Sequence, residues 1–163
     1  MAIKVSLVIP AYNESKTLNE LMKRINLTMS KILKPNEWEC LIINDNSSDN
    51  TKNILEGIKL KYKNLKPLHH TKNKGQTGCF DTGFKNAKGG IIITLDGDLE
   101  VYPEDIPYFI EKINYGADLV NGIRTNRKHS LYMQAPSRLY NILMFVFFKS
   151  LFYDNASNYT AFY

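Results

Sequence analysis

The stretch IIITLDGDLE, residues 91–100, ends an apolar run with three acidic residues at alternate positions: Asp96, Asp98 and Glu100. Like charges about 4 Å apart repel by roughly 4 kcal/mol at an effective dielectric constant near 20, so a positive partner is expected beside them. Gly97 allows a tight turn in which Asp96 and Asp98 face one point. Such a carboxylate pair is typical of a site for a hard divalent cation that also binds phosphate oxygens. The alternative is a solvated turn, because Asp-Gly is a common turn dipeptide.

A second acidic side chain, Asp45, follows the apolar residues 41–43 at the predicted end of another strand. A carboxylate at that point can accept hydrogen bonds from a base N–H group or a ribose hydroxyl group. Its alternative role is a helix cap or an Asx turn. Tyr12 and Glu14, which follow Pro10, can close around the same base.

Two groups of basic residues are candidates for binding an anion. Lys72 and Lys74 lie just before Gly75 and a predicted helix, and helix N-termini favour anions. Arg124 begins a basic cluster at residues 124–128, and arginine makes forked contacts with phosphate, so one of these side chains can clamp a diphosphate. For both groups, the alternative is an ordinary solvated surface.

Histidine and cysteine residues show no metal-ligand spacing, and we assign no chemistry to His69, His70 or His129. Cys40 and Cys79 are expected to be buried free thiols in a reducing compartment. The sequence contains neither GxxxxGK[ST] nor GxGxxG, which argues against kinase-like and dinucleotide-binding proteins.

The net charge of +5 is dispersed along the 163 residues. This charge favours anionic partners such as nucleotides, phosphates or acidic lipid head groups, but the absence of an aromatic and basic platform argues against nucleic acid. The chain begins with a strand pattern and shows no signal peptide, and no segment reaches the ~20 apolar residues of a membrane span. We therefore expect a cytoplasmic protein with one domain over residues 1–163.

Short apolar runs alternate with segments of helical spacing along the chain. Strands are predicted at 4–10, 38–43, 65–70, 91–95 and 117–124, and helices at 14–33, 75–87 and 106–114, with a further helix after Ser48 or Asp49. This order predicts an α/β fold with a mostly parallel sheet and helices on both faces. Ligands bind at the carboxyl ends of the strands in such sheets, and a polar cluster follows each of the five strands, so a shared site is predicted there.

Residues 137–153, SRLYNILMFVFFKSLFY, form an apolar segment near the end of the chain. As a helix, it would gather Ser137, Arg138 and Asn141 on one side, although Phe145 and Phe148 intrude there. Three interpretations stay open: the helix lies in a membrane interface, packs on a partner, or is covered by another part of the fold.

Four segments, SLVIPAYNE, IINDNSSDNT, NKGQTGCFDTGFKNAKGGIIITLDGDLEVYPEDIP and VNGIR, resemble in this order the successive blocks of the family 2 inverting glycosyltransferases. The branch that they resemble most is the dolichyl- or polyprenyl-phosphate sugar transferases, and the resemblance covers nearly the whole chain. It implies a GT-A fold (a Rossmann-like sheet), a nucleotide-diphosphate sugar as donor, and Mg²⁺ or Mn²⁺ at a DxD motif.

Residue by residue, the resemblance implies a nucleoside pocket, a DxD motif, a third metal ligand, a diphosphate contact and an acceptor-side block. The nucleoside pocket would be lined by Pro10, Tyr12, Glu14, Ile43 and Asp45. The DxD motif would be Asp96, Gly97 and Asp98, with Glu100 as the third metal ligand. Arg124 would contact the diphosphate, and the segment from Asp154 resembles the D-x-x-S-G-F-R block on the acceptor side. Asn158 and Thr160 stand where that block has Gly and Arg. Asn46 replaces a usual glycine, and asparagine tolerates a positive φ.

The sequence thus predicts an enzyme that transfers a sugar from a nucleotide-diphosphate sugar to a dolichyl or polyprenyl phosphate, at the cytoplasmic face of a membrane. A hydroxyl acceptor would require a general base, for which Asp154 is the candidate, whereas a phosphate acceptor is already ionised. Two alternatives stay open: a saccharide acceptor in cell-surface polysaccharide synthesis, or a non-catalytic module that binds nucleotide sugars. Family members continue beyond position 163, so further acceptor-side elements are expected there.

Overall fold

In the computed structural model, which describes residues 4–122 and 158–163, strands and helices alternate around a six-stranded sheet. The elements are β1 (Val5–Ala11), α1 (Leu18–Met29), β2 (Trp38–Asn44), α2 (Thr51–Lys61), β3 (Leu65–His69), α3 (Gly75–Asn86), β4 (Ile91–Thr94), a 3₁₀ turn (Pro103–Asp105), α4 (Ile106–Asn114), β5 (Leu119–Asn121) and β6 (Thr160–Phe162). Their order across the sheet is β3-β2-β1-β4-β6-β5. The predicted α/β class and the strands named from the sequence are confirmed.

Strand direction follows the prediction except at β6. Strand β1 pairs in parallel with β2 and β4, and β2 pairs in parallel with β3. The sequence did not predict β6, which pairs antiparallel with both β4 and β5, so that β5 runs in the same direction as β4. Three residues are too few for a periodicity signal. This strand brings Asn158, just before it, to the edge where the parallel strands end.

The two faces of the sheet pack against different helices because successive side chains of a strand point to opposite faces. Leu7 and Ile9 of β1 belong to the main core with α1, α2 and α4. Val8 points the other way and packs with Leu41 and Cys79 beneath α3. Strands buried on both faces carry continuous apolar runs, as β1 and β2 do. The predicted helices on both faces are confirmed.

Helix α1 is shorter than the predicted span of 14–33 at both ends, because residues 15–17 and 30–32 form turns. At the first of these turns, the Thr17 hydroxyl group lies 2.9 Å from Glu14 Oε2 and bonds it. The N-cap of α2 is Asn50, without a side-chain cap bond, so neither predicted cap, Ser48 or Asp49, occupies that position. Asp49 nevertheless accepts a hydrogen bond from the Thr51 N–H group at 2.9 Å. Hydrogen bonds of this kind from short polar side chains set where a helix begins.

Cys40 and Cys79 are buried free thiols, as expected. Within residues 4–122 and 158–163, no helix combines the length and the apolar character that crossing a membrane requires.

Gly83 sets how closely α3 approaches β1. A Cβ atom at this position would collide with Val8 Cγ1 and lie 3.2 Å from Ile43 Cδ1. We expect Gly83→Ala to lower the free energy of unfolding by about 1–3 kcal/mol, the usual cost of overpacking a core. Gly57→Ala in α2 is the matched control, because a Cβ atom there meets nothing within 4 Å. It should be neutral or stabilising by up to about 1 kcal/mol in urea denaturation. Equal stability of the two variants would contradict this packing.

Candidate active site

A cavity of about 400 Å³ opens at the carboxyl ends of β1, β2 and β4, a volume within the range of small-molecule sites. Its walls come from the loops after these strands and from the start of α3. The lining residues are Pro10, Ala11, Tyr12, Glu14, Asp45, Asn73, Gly75, Gln76, Cys79, Asp96, Gly97 and Asp98. Most of the site residues predicted from the sequence therefore lie on one cavity, at the predicted edge of the sheet.

Asp45 is a buried carboxylate that the protein itself surrounds with donors. Its Oδ1 accepts hydrogen bonds from His70 Nδ1 at 2.7 Å and from the Lys74 N–H group at 2.8 Å. Its Oδ2 accepts one from the Gly75 N–H group at 2.8 Å. Burial acts to raise the pKa of Asp45, but these hydrogen bonds outweigh it, so the pKa lies below the ordinary value. Asp45 is therefore an oriented anion at the cavity wall.

His70, to which the sequence assigned no chemistry, contacts Asp45 directly. Its other ring nitrogen, Nε2, lies 2.8 Å from Thr82 Oγ1 on α3. The contact follows from strand register, because the parallel pairing places Asn44 beside His69 and therefore brings together the residues that come next. Aligning the ends of β2 and β3 could have revealed this partner, whereas spacing along the chain could not.

Asp45, His70 and Cys79 place one ligand atom each within 4.8 Å of one another, a donor set that suits zinc. Both oxygens of Asp45 and both ring nitrogens of His70 already have hydrogen-bond partners. Burial, with the charge of Asp45, raises the pKa of the Cys79 thiol to about 12. The three side chains thus form a hydrogen-bonded cluster in which the thiol keeps its proton.

Asp96 and Asp98 follow the end of β4, and amide side chains form hydrogen bonds with Asp96. Gln76 Nε2 donates a hydrogen bond to Asp96 Oδ1 at 3.0 Å, and Asn158 Nδ2 lies 3.3 Å from each Asp96 oxygen. Asp98 is exposed, and its Oδ1 accepts a hydrogen bond from the Glu100 N–H group at 2.9 Å. The two carboxylates therefore differ, one held by its neighbours and one open to solvent.

The electrostatics of the cavity wall indicate a concentration of negative charge. Burial raises the pKa of Glu14, its hydrogen bond with Thr17 opposes that shift, and the charges of Asp98, Asp49 and Asp96 raise it further. A bound divalent cation would act to lower the pKa of Glu14, because the cation would be the largest local charge. Carboxylate oxygens are hard ligands, so Asp96 and Asp98 fit Mg²⁺ or Mn²⁺.

Two predicted site residues lie elsewhere. Ile43 is fully buried with Val8 and Leu41 beneath α3 and does not line the cavity, because strand alternation turns its side chain into that core. Glu100 is half-buried and also lies outside the lining. Leu99, between Asp98 and Glu100, adopts a φ of 64°, in the left-handed region.

Asn46, by contrast, adopts a φ of 57°, in line with the tolerance expected where it replaces glycine. Lys74 contributes its backbone N–H group to the site, which is a different role from the charged side chain that the sequence suggested. Arg124, Asp154 and residues 137–153 lie outside the described residues, so the predictions made for them stay predictions.

The family model described as "Glycosyl transferase family 2" matches residues 6–162. Undecaprenyl-phosphate 4-deoxy-4-formamido-L-arabinose transferase of Salmonella choleraesuis is 36% identical over 142 residues, which are 86% of this chain and 43% of that protein. The chain thus spans less than half the length of this relative.

Two solved structures illustrate the structural likeness. Glucosyl-3-phosphoglycerate synthase from Mycobacterium tuberculosis, in complex with Mn²⁺, uridine diphosphate and glucosyl-3-phosphoglycerate, has a TM-score of 0.74 at 16% identity over 98% of this chain and 56% of its own. The mannosyltransferase PcManGT from Pyrobaculum calidifontis, with GDP-Man and Mn²⁺, has a TM-score of 0.66 at 17% identity over 76% of this chain and 36% of its own. At these identities the likeness concerns the fold alone.

Proposed function

Because the chain belongs to glycosyl transferase family 2 and has the GT-A fold of its structural neighbours, we propose that its cavity binds a nucleotide-diphosphate sugar with a divalent cation. We further propose that the sugar passes to a polyprenyl phosphate. One observation carries this proposal: Asp45, Asp96 and Asp98, from the ends of two strands, line a single cavity. The undecaprenyl-phosphate transferase among the relatives supports the choice of acceptor.

The nucleoside end of the donor would lie against Asp45 and Tyr12. An oriented carboxylate accepts a hydrogen bond from a base N–H group or a ribose hydroxyl group. Tyr12 is 52% exposed at the cavity, so its ring is available to stack on a base. Pro10 and Glu14 complete this wall.

The diphosphate end would lie at the other wall, where Asp96 and Asp98 would hold Mg²⁺ or Mn²⁺. Such a cation neutralises the charge that develops on a departing nucleoside diphosphate. Gln76 and Asn158 restrict how the Asp96 carboxylate can turn, so one ligand is oriented before the donor arrives. Arg124 is the proposed further contact to the diphosphate.

The acceptor phosphate is already ionised and requires no base. One of its oxygens would form a bond to C1 of the sugar as the bond from C1 to the diphosphate breaks on the opposite side, which inverts the configuration. A polyprenyl phosphate is a lipid, so the reaction would take place at a membrane surface, on the cytoplasmic side, with residues 137–153 as the proposed contact. With a hydroxyl acceptor, Asp154 would be the proposed base.

Calorimetry with UDP and GDP tests the donor and metal sites together. We expect Mn²⁺ or Mg²⁺ to be required for tight binding, and Asp98→Asn to weaken it by at least about 10-fold, since one charge-assisted contact contributes about 1.5–3 kcal/mol. Asp81→Asn is the matched control, because Asp81 is exposed on α3 and pairs with Lys85 at 2.8 Å. Binding that neither a chelator nor Asp98→Asn alters would refute the metal assignment.

Transfer is tested with the longest natural form of the protein, the nucleotide sugars of the base that binds, and undecaprenyl phosphate in detergent. The expected product is a lipid phosphate that carries one sugar and is stable to phosphatase. A product formed only on an oligosaccharide would replace the lipid acceptor by a saccharide. Donor binding without turnover on either acceptor would show a non-catalytic module.

A further inference from the structure

His70 is a buried neighbour of Asp45. Its side chain is 5% exposed, and the cavity is lined by Asp45 but not by His70 within the described parts of the chain. Both of its ring nitrogens have partners, Asp45 Oδ1 at 2.7 Å and Thr82 Oγ1 at 2.8 Å. A buried imidazole with two side-chain partners has a fixed ring orientation, and it joins the ends of β2 and β3 to α3.

The position of one proton follows from this geometry. The Asp45 carboxylate is held as an anion and can only accept, so the hydrogen atom of that bond lies on His70 Nδ1. At the other nitrogen, the Thr82 hydroxyl group can rotate to donate or to accept, so it satisfies Nε2 in either charge state of the ring. The donor that faces Asp45 is therefore the same in both states.

The donors around Asp45 leave little of the carboxylate open. Oδ1 accepts two hydrogen bonds, from His70 and from the Lys74 N–H group, and Oδ2 accepts one from the Gly75 N–H group. A carboxylate oxygen accepts about two hydrogen bonds, so one position beside the Gly75 N–H group remains on Oδ2. The Cys79 thiol also interacts with Asp45, but an S–H group is a weak donor that a base N–H group would replace. That position can accept a ring N–H group of a base but repels a ring nitrogen that carries only a lone pair.

We propose that His70 is a positioning residue, which by holding Asp45 Oδ1 leaves Oδ2 as a single acceptor and so selects nucleotides whose base carries a ring N–H group. This inference rests on the proposed function, because it requires the base to lie at Asp45. Without His70, Oδ1 would regain an open acceptor position and the carboxylate could turn or take up a proton. A protonated Asp45 would donate to a ring nitrogen and thus bind the wrong class of base.

The experiment compares two pairs of nucleoside diphosphates by calorimetry with Mn²⁺: UDP with CDP, and GDP with ADP. The first member of each pair has a ring N–H group where the second has a bare ring nitrogen. We expect His70→Leu to reduce the preference for the N–H member by at least about 10-fold. His70→Asn should keep it within about 3-fold, because the asparagine Nδ2 can donate where the imidazole Nδ1 does. Thr82→Val, which leaves His70 in place, should give an intermediate loss.

Thermal unfolding measured on the same samples separates positioning from a general effect on the fold. If both members of a pair lose affinity equally in His70→Leu, or if His70→Asn behaves like His70→Leu, the proposal is wrong. If His70→Leu fails to fold, the comparison of His70→Asn with Thr82→Val decides. The proposal is then wrong if both variants and the parent protein show the same preference for the N–H member of each pair. A parent protein that binds none of the four nucleotides refutes the proposed function itself, which is a different result.

Discussion

Asp45→Asn is expected to weaken nucleoside diphosphate binding by at least about 100-fold and to lower the free energy of unfolding by about 3 kcal/mol. Three N–H donors converge on the two oxygens of Asp45. An asparagine has one oxygen and one NH₂ group, so either orientation of the amide places its nitrogen against at least one of these donors. Binding should weaken as well, because the acceptor position proposed for the base lies on the same carboxylate. Calorimetry with UDP and GDP and urea denaturation measure the two effects.

Glu39→Gln is also expected to lower the free energy of unfolding strongly, and it serves as the control for Asp45→Asn. Glu39 is 1% exposed and lies in β2, at the end of the sheet far from the cavity. Its Oε1 accepts hydrogen bonds from Ser6 Oγ and the Lys88 N–H group, both at 2.7 Å, and its Oε2 accepts one from Lys66 Nζ at 2.6 Å. We expect a loss of about 1–3 kcal/mol in unfolding free energy, because the amide leaves at least one of these donors without its acceptor. Nucleotide affinity of the folded fraction should not change.

The two substitutions together separate stability from recognition. Both remove a buried carboxylate from β2 or the residue that follows it, and both replace it by an amide of nearly the same shape. If Glu39→Gln also weakens nucleotide binding, the loss seen with Asp45→Asn reflects the fold and says nothing about the site.

The stability that Glu39 contributes should depend on pH in a defined direction. Burial acts to raise the pKa of Glu39, but hydrogen bonds from Lys66, Ser6 and the Lys88 N–H group outweigh it, so the pKa lies below the ordinary value. A carboxyl group whose pKa is lower in the folded state stabilises the fold above its unfolded pKa, near 4.3, and that contribution is lost as the pH falls through the folded pKa. The stability difference between the parent protein and Glu39→Gln should therefore shrink below about pH 4. A difference that grows on acidification would contradict the assigned hydrogen bonds.

Most of the scaffold could be predicted from the sequence because its signals are local. Apolar runs such as residues 5–9 and 91–95 mark buried strands, and helical spacing marks α1 and α2. The rule that ligands bind at the carboxyl ends of parallel strands then brings Asp45, Asp96 and Asp98 to one edge, and the structure shows them on one cavity.

What could not be predicted depends on contacts between distant parts of the chain. The partnership of Asp45 with His70 requires the register of two strands, which spacing along the sequence does not contain. The inward side chain of Ile43 depends on which face of β2 meets α3. Glu100, which the resemblance gave as a third metal ligand, does not line the cavity, and the positive φ of Leu99 before it could not be read from the sequence.

The late position of strand β6 in the sequence affects how the sheet forms during synthesis. This strand lies between β4 and β5, and its residue Thr160 pairs with Thr94, which is synthesised much earlier than Thr160. Until residues 160–162 emerge, the outer edge of β4 presents unpaired backbone groups, which invite pairing with another nascent chain. Any shortened version that ends before Thr160 would keep that edge open for its whole lifetime, and aggregation during expression is its natural outcome.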